Sequence, residues 1–127
     1  MASWANEIGA ITLFVEDLRE TKAFYQRVFS VPVMFEDGDS AVFEFGSTLI
    51  NLLDSQAAPE LVDPAAVADA TSGSRFVFTV QVEDVDARCK ELTEQGVQLL
   101  NGPMDRPWGP RTASFRDPGG HIWEIAS

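Results

Sequence analysis

Apolar and polar positions change their period along the chain, and each change marks an element. Residues 8–15 alternate weakly and hold Ile8, Ile11, Thr12, Leu13, Phe14 and Val15, a β-rich run that predicts a strand. Asp17 stands where a helix N-cap belongs, with Glu20 at the capping-box position. Across 18–29 the period lengthens, and Leu18, Thr21, Phe24, Tyr25 and Val28 share one helical face. Pro32 ends the helical possibility. Residues 33–35, 41–45 and 48–53 then read as strands, with turns at Asp37-Gly38-Asp39 and Gly46-Ser47.

Residues 54–74 break this rhythm. They hold Pro59, Pro64 and Gly73, several alanines and little that must be buried, so a linker is expected, with a short helix capped by Asp63 and started by Pro64. A strand pattern resumes at 76–82. Asp84 is a second candidate N-cap, the helix 85–95 places Val85, Cys89 and Leu92 on one face, and Gly96 suits its C′ position. Residues 97–100 read as a strand and 101–110 as a loop. Residues 111–116 and 121–125 form a hairpin around Asp117-Pro118-Gly119-Gly120.

The order strand-helix-strand-strand-strand thus occurs twice, before and after the linker. The local sequences agree too: residues 12–18 (TLFVEDL) resemble residues 79–85 (TVQVEDV). An internal repeat follows, in one 1–127 domain with a first module at 8–53, a linker at 54–74 and a second module at 75–127. Each module offers a sheet covered on one face by a helix, which leaves the other face for a partner or a ligand.

Charge narrows the partners. The chain has 127 residues, 20 acidic and 9 basic, for a formal net charge of -11. It has no Lys/Arg cluster, so nucleic acid and anionic membrane surfaces are excluded as partners. A cationic or neutral small ligand suits it better. No run of about 18 apolar residues is present to span a membrane. Residues 1–7 lack a basic region leading into an apolar run, so no secretory signal is expected. Cys89 is the single cysteine, which excludes an internal disulfide and fits a cytoplasmic location.

The sequence resembles the vicinal oxygen chelate superfamily, the glyoxalase, bleomycin-resistance and dioxygenase group. The resemblance rests on Val15-Glu16-Asp17-Leu18 with Phe24-Tyr25, on Val82-Glu83-Asp84-Val85, on Trp108-Gly109, and on the run from Asp117 to Glu124. It implies an α+β fold in which two βαβββ modules form a curved, open barrel-like sheet around a cleft, and it implies a homodimer. Metalloenzymes of the family take one ligand from the first and one from the last strand of each module. Those positions fall on Ala10, Asn51, Val77 and Glu124. Only Glu124 is an ordinary metal ligand; Asn51 offers a weak amide oxygen, and Ala10 and Val77 offer nothing. A competing register places Glu44 in the cleft instead of Asn51. No metal and no other cofactor is therefore expected. An extradiol dioxygenase needs two histidines, and His121 is the only one.

Strand alternation extends the site. Ala10, Thr12 and Phe14 share a face, as do Leu49, Asn51 and Leu53. In the second module Val77, Thr79, Ile122 and Glu124 share one, with His121 and Trp123 opposite. Trp108 either stacks on a ligand or packs against the core, and Phe35 and Phe43 either add a wall or fill core. The expected ligand-binding set is Thr12, Phe14, Phe35, Phe43, Leu49, Asn51, Thr79, Trp108, Ile122 and Glu124, apolar walls with a few orienting polar atoms. Glu124 is also the one candidate catalytic residue. The expected function is a metal-free binder near the bleomycin-resistance branch, sequestering a cationic or aromatic antibiotic or metabolite. The alternatives are a glyoxalase-like lyase or isomerase with Glu124 as base or sole retained metal ligand, and a non-catalytic structural or regulatory partner.

Overall fold

A computed structural model describes residues 4, 5 and 7–127. The leader reading at 1–7 depends on residues 1–3 and 6, which lie outside the described set. The chain divides into two compact units, one ending at Asp69 and the other spanning Ala70–Ser127.

In the first unit, β1 (Ala10–Val15) leads into α1 (Leu18–Phe24). The Asp17 carboxylate accepts from the Glu20 N–H at 2.9 Å, as an N-cap should. The helix continues as a π-helical turn, Tyr25–Phe29, and Ser30 closes it at φ 57°. Then follow β2 (Val33–Glu36), β3 (Ser40–Phe45) and β4 (Thr48–Asp54), in the sheet order β1-β4-β3-β2. β1 lies parallel to β4, and the other pairs are antiparallel. Leu13, Val15, Ala41, Phe43, Ile50 and Leu52 make the buried face. The π turn supplies its aromatic cover: Tyr25 lies 5.1 Å from Phe29 and 5.4 Å from Phe43, centroid to centroid.

The second unit repeats the plan. β5 (Phe78–Gln81), α3 (Val85–Glu94), β6 (Leu99–Asp105), β7 (Arg111–Arg116) and β8 (Ile122–Ala126) give the order β5-β8-β7-β6, with β5 parallel to β8. Asp84 caps α3 through the Ala87 N–H at 3.1 Å. Val97 N–H returns to the Leu92 carbonyl, and Gly96 sits at φ 83°, the left-handed C′ position that glycine reaches without a Cβ penalty. Cys89 is buried on the apolar face of α3, and burial pushes its thiol pKa up, which suppresses the thiolate.

Three expectations are corrected. The curved, barrel-like sheet around a cleft is absent: each module keeps its own four-stranded sheet, and neither sheet closes into a barrel. Alternation along a strand encodes which face is buried, not whether edges join, and four strands are too few to close on themselves. Second, the short helix in the linker is α2 (Pro59–Val62), with Ala58 at its N-cap position, no side-chain cap and Asp63 at its C-terminal end, and it does not start at Pro64. Pro59 takes the first helical position, where its missing N–H costs nothing. Third, β6 runs through Asn101-Gly102-Pro103 into the expected loop. It is an edge strand with register shifts on both sides of Asn101, a setting that tolerates proline.

Arg111 ties α3 to the second sheet. Its guanidinium donates to both Asp86 oxygens, at 2.8 and 2.9 Å, and to Asp105 at 3.1 Å. The Arg111 hydrogen bonds hold the Asp86 carboxyl below its ordinary pKa. A depressed carboxylate stabilises the fold above its unfolded pKa, and the contribution fades as pH falls through the folded value. Asp86→Asn is expected to lower the melting temperature modestly at pH 7. Melting curves against pH should show the gap to the parent narrowing below about pH 4.

Candidate functional site

The second sheet shows how the open face is built. Arg111 reaches α3, so Ala113 and Phe115 share its face, and their register partners Ile125 and Trp123 join them. The opposite face carries Ser114 and Arg116 from β7 with Glu124 and Ile122 from β8, and Thr79 from β5 lies beside Glu124. The Thr79 hydroxyl donates to Glu124 Oε1 at 2.9 Å. Glu124 is half-buried and its side chain makes no other hydrogen bond or ion pair among the described residues, so Oε2 stands as an unmatched acceptor.

Three polar residues that strand reading from one module did not supply stand on this face. Arg106 donates from Nε to the buried Thr112 hydroxyl at 2.8 Å and from Nη2 to Asn101 Oδ1 at 3.0 Å. Asn101 pairs in register with Ser114, next to Glu124. The signal was available: Thr112, Ser114 and Arg116 alternate along β7. Trp108 is 71% exposed, so the core-packing alternative fails, and the Arg106 guanidinium lies over its ring at 5.6 Å. That contact fixes the Trp108 ring as a presented apolar plate.

The first sheet has an equivalent face. Register pairs place Ala10 beside Leu49, Thr12 beside Asn51 and Phe14 beside Leu53. Val42 and Glu44 from β3 join them, because Val42 pairs with Asn51 and Glu44 with Leu49. Glu44 and Asn51 are thus neighbours on one face, and the two registers do not compete. Asn51 Nδ2 donates to the Thr12 hydroxyl across a long 3.4 Å. Its Oδ1 is buried with no hydrogen-bond partner among the described residues. An acceptor held out of water without a donor is costly, and a ligand N–H would satisfy it. Phe35 lies on the same side through its pairing with Val42 and is 59% exposed. Phe43 does not: it is fully buried on the helix face against Tyr25, so it fills core and lines nothing.

His121 stands apart from Glu124. Its Nδ1 lies 3.0 and 3.2 Å from the two oxygens of Asp117, where a ring N–H donates to a carboxylate. Asp117 is buried and also accepts from the backbone N–H groups of Gly119 and His121. The histidine therefore serves the turn.

A divalent metal at the family positions does not fit the donors present. Ala10 contributes a methyl group and Val77 an exposed isopropyl, which leaves the Asn51 amide and the Glu124 carboxylate. Among the described residues, no group of three or more His, Cys, Asp or Glu side chains converges. Such sites need three or more protein ligands, and these four positions supply two side-chain donors at most. Among the described residues, no helix is long and apolar enough to cross a membrane.

Comparison with known proteins supplies the last observation. The chain is 34% identical over 119 residues to the uncharacterised protein YraH of Bacillus subtilis, covering 91% of this chain and 93% of that protein. It is 32% identical over 120 residues to a glyoxalase domain-containing protein, RDO1, of Mycosarcoma maydis, covering 92% of this chain and 65% of that one. Its fold matches a glyoxalase/bleomycin resistance protein/dioxygenase from Nocardioides with a TM-score of 0.87 at 24% identity, over 98% of this chain and 85% of that one. The sequence model described as "Glyoxalase/Bleomycin resistance protein/Dioxygenase superfamily" matches residues 7–125.

Proposed function

The chain belongs to the glyoxalase/bleomycin resistance protein/dioxygenase superfamily, and from that premise we propose that it is a small-molecule-binding protein, working as a cytoplasmic homodimer without a family-type metal, whose ligand is an organic cation with an aromatic part, such as an antibiotic or metabolite. The observation that carries this reading is the unmatched acceptor at Glu124, half-buried beside Thr79 on an open sheet face with no arginine or lysine paired to it among the described residues.

Three features support it. The Thr79 hydrogen bond uses one carboxylate oxygen and orients the other. Partial burial strengthens a charge-assisted bond to an ammonium over one made in water. On the first sheet, taken by itself, the orphaned Asn51 Oδ1 is an acceptor that a ligand N–H would satisfy. Net charge -11 draws cations toward the protein from a distance. The exposed Trp108 plate suits an aromatic group.

Calorimetry with a panel of cationic glycopeptide and aromatic antibiotics tests the reading. Glu124→Gln keeps the shape and removes the charge, so the affinity of a cationic ligand should fall about tenfold. A neutral aromatic ligand should be little affected. Absence of binding at ~1 mM would reject the proposal. Turnover that appears on adding Ni, Zn, Mn or Fe would replace it with the lyase or isomerase reading.

A further inference from the structure

A second polar feature lies on the same sheet face as Glu124, at the end of β7. A cavity of about 300 Å³ is walled by the loop carrying Thr71, Gly73 and Ser74 and by Arg116, Gly120 and Ile122. Gly120 pins the loop. It sits at φ +90°, and a Cβ there would stand 2.6 Å from the Ala70 carbonyl oxygen, so only glycine lets the turn approach this closely.

Some donors of this cavity have no acceptor among the described residues. The Arg116 side chain makes no hydrogen bond or ion pair with any described residue. The backbone N–H groups of Gly73 and Ser74 likewise have no acceptor among the described residues. The chain holds 20 acidic residues, yet none of them lines this cavity. Asp117, next to Arg116 in sequence, points its carboxylate at Gly119, His121 and Trp123. The Ser74 hydroxyl donates to the Phe76 carbonyl at 2.7 Å, which holds the loop in place.

One cavity is lined by an arginine and by two successive residues whose backbone N–H groups have no acceptor among the described residues, a donor set that suits an oxyanion. We propose that this cavity is a site for a small oxyanion, a carboxylate or phosphate group, with Arg116 as its main ligand and the Gly73 and Ser74 amides as secondary donors. It stands independently of the Glu124 reading. Ile122 shares the Glu124 face of β8 and forms one wall, which keeps the site apolar on one side.

The test is a backbone-amide NMR titration with inorganic phosphate and, separately, acetate, at constant ionic strength. Saturable shifts at Gly73, Ser74 and Gly120 are expected, with an affinity on the order of millimolar. Saturation by phosphate alone assigns a phosphate ligand; saturation by acetate, alone or with phosphate, assigns a carboxylate. Arg116→Gln should weaken binding about tenfold, with Arg116→Lys intermediate because it keeps the charge and loses the fork. Arg75→Gln, at an exposed arginine outside the cavity, should leave binding unchanged. Shifts that never saturate, that persist in Arg116→Gln, or that fall equally in Arg75→Gln would overturn the proposal.

Discussion

Replacing Phe43 with alanine is expected to lower the unfolding free energy by about 3–5 kcal/mol, read from urea denaturation. The ring is fully buried between β3 and the π turn, 5.4 Å from Tyr25, which is itself fully buried. Truncation empties the centre of an aromatic cluster that also holds Phe29 and Phe45, 5.4 Å apart. The backbone on both sides is held in sheet and helix, so the cavity cannot collapse fully. If Phe43 lined a binding surface instead, the loss would be small and ligand affinity would fall. The structure predicts the reverse: a large loss of stability, and unchanged affinity in whatever fraction stays folded.

Asp117→Ala should cost about 2–4 kcal/mol, for a different reason. The fully enclosed carboxylate gathers the Gly119 and His121 N–H groups, the His121 ring nitrogen and, at 3.4 Å, the Trp123 indole N–H. Removing it strands several part-buried donors at once. The turn would loosen first, and the Gly120 approach to Ala70 with it. Thermal melting should show the loss, and proteolysis should cut between β7 and β8. Asp117→Asn keeps an acceptor and should cost less.

The two substitutions mark what the sequence could and could not disclose. Alternation placed Thr12 with Phe14, Asn51 with Leu49, and Thr79 with Glu124, because a regular strand fixes parity residue by residue. It also separated His121 from Glu124. Parity within one strand does not say which face is covered, however. Ala41, Phe43 and Phe45 share a side, and only the pairing of Phe43 with Ile50 shows that this side meets the helix. Phe35 is harder still, because the register shifts between Val33 and Phe35. Pro103 reads as a strand breaker until β6 is known to be an edge.

The chemistry divided in the same way. Residues identified by type alone, such as Glu124 and the donor-poor Ala10 and Val77, were legible without coordinates. Arg106 and Arg116 were not. One is tied to Thr112 and Asn101, the side chain of the other has no partner among the described residues, and that difference depends on where a loop and a strand end come to lie. Sheet closure was illegible because it is a relation between edges, which no residue pattern in this chain declares.

The central claim is that ligand binding centres on the Glu124 face and needs no metal. Amide shifts of chelator-treated protein, titrated with a cationic aromatic ligand from the panel, test it most directly. The account predicts saturable shifts clustered at Thr79, Ser114 and Glu124 that adding a divalent metal leaves unchanged. Shifts that avoid this face, or that appear only when metal is restored, would contradict it.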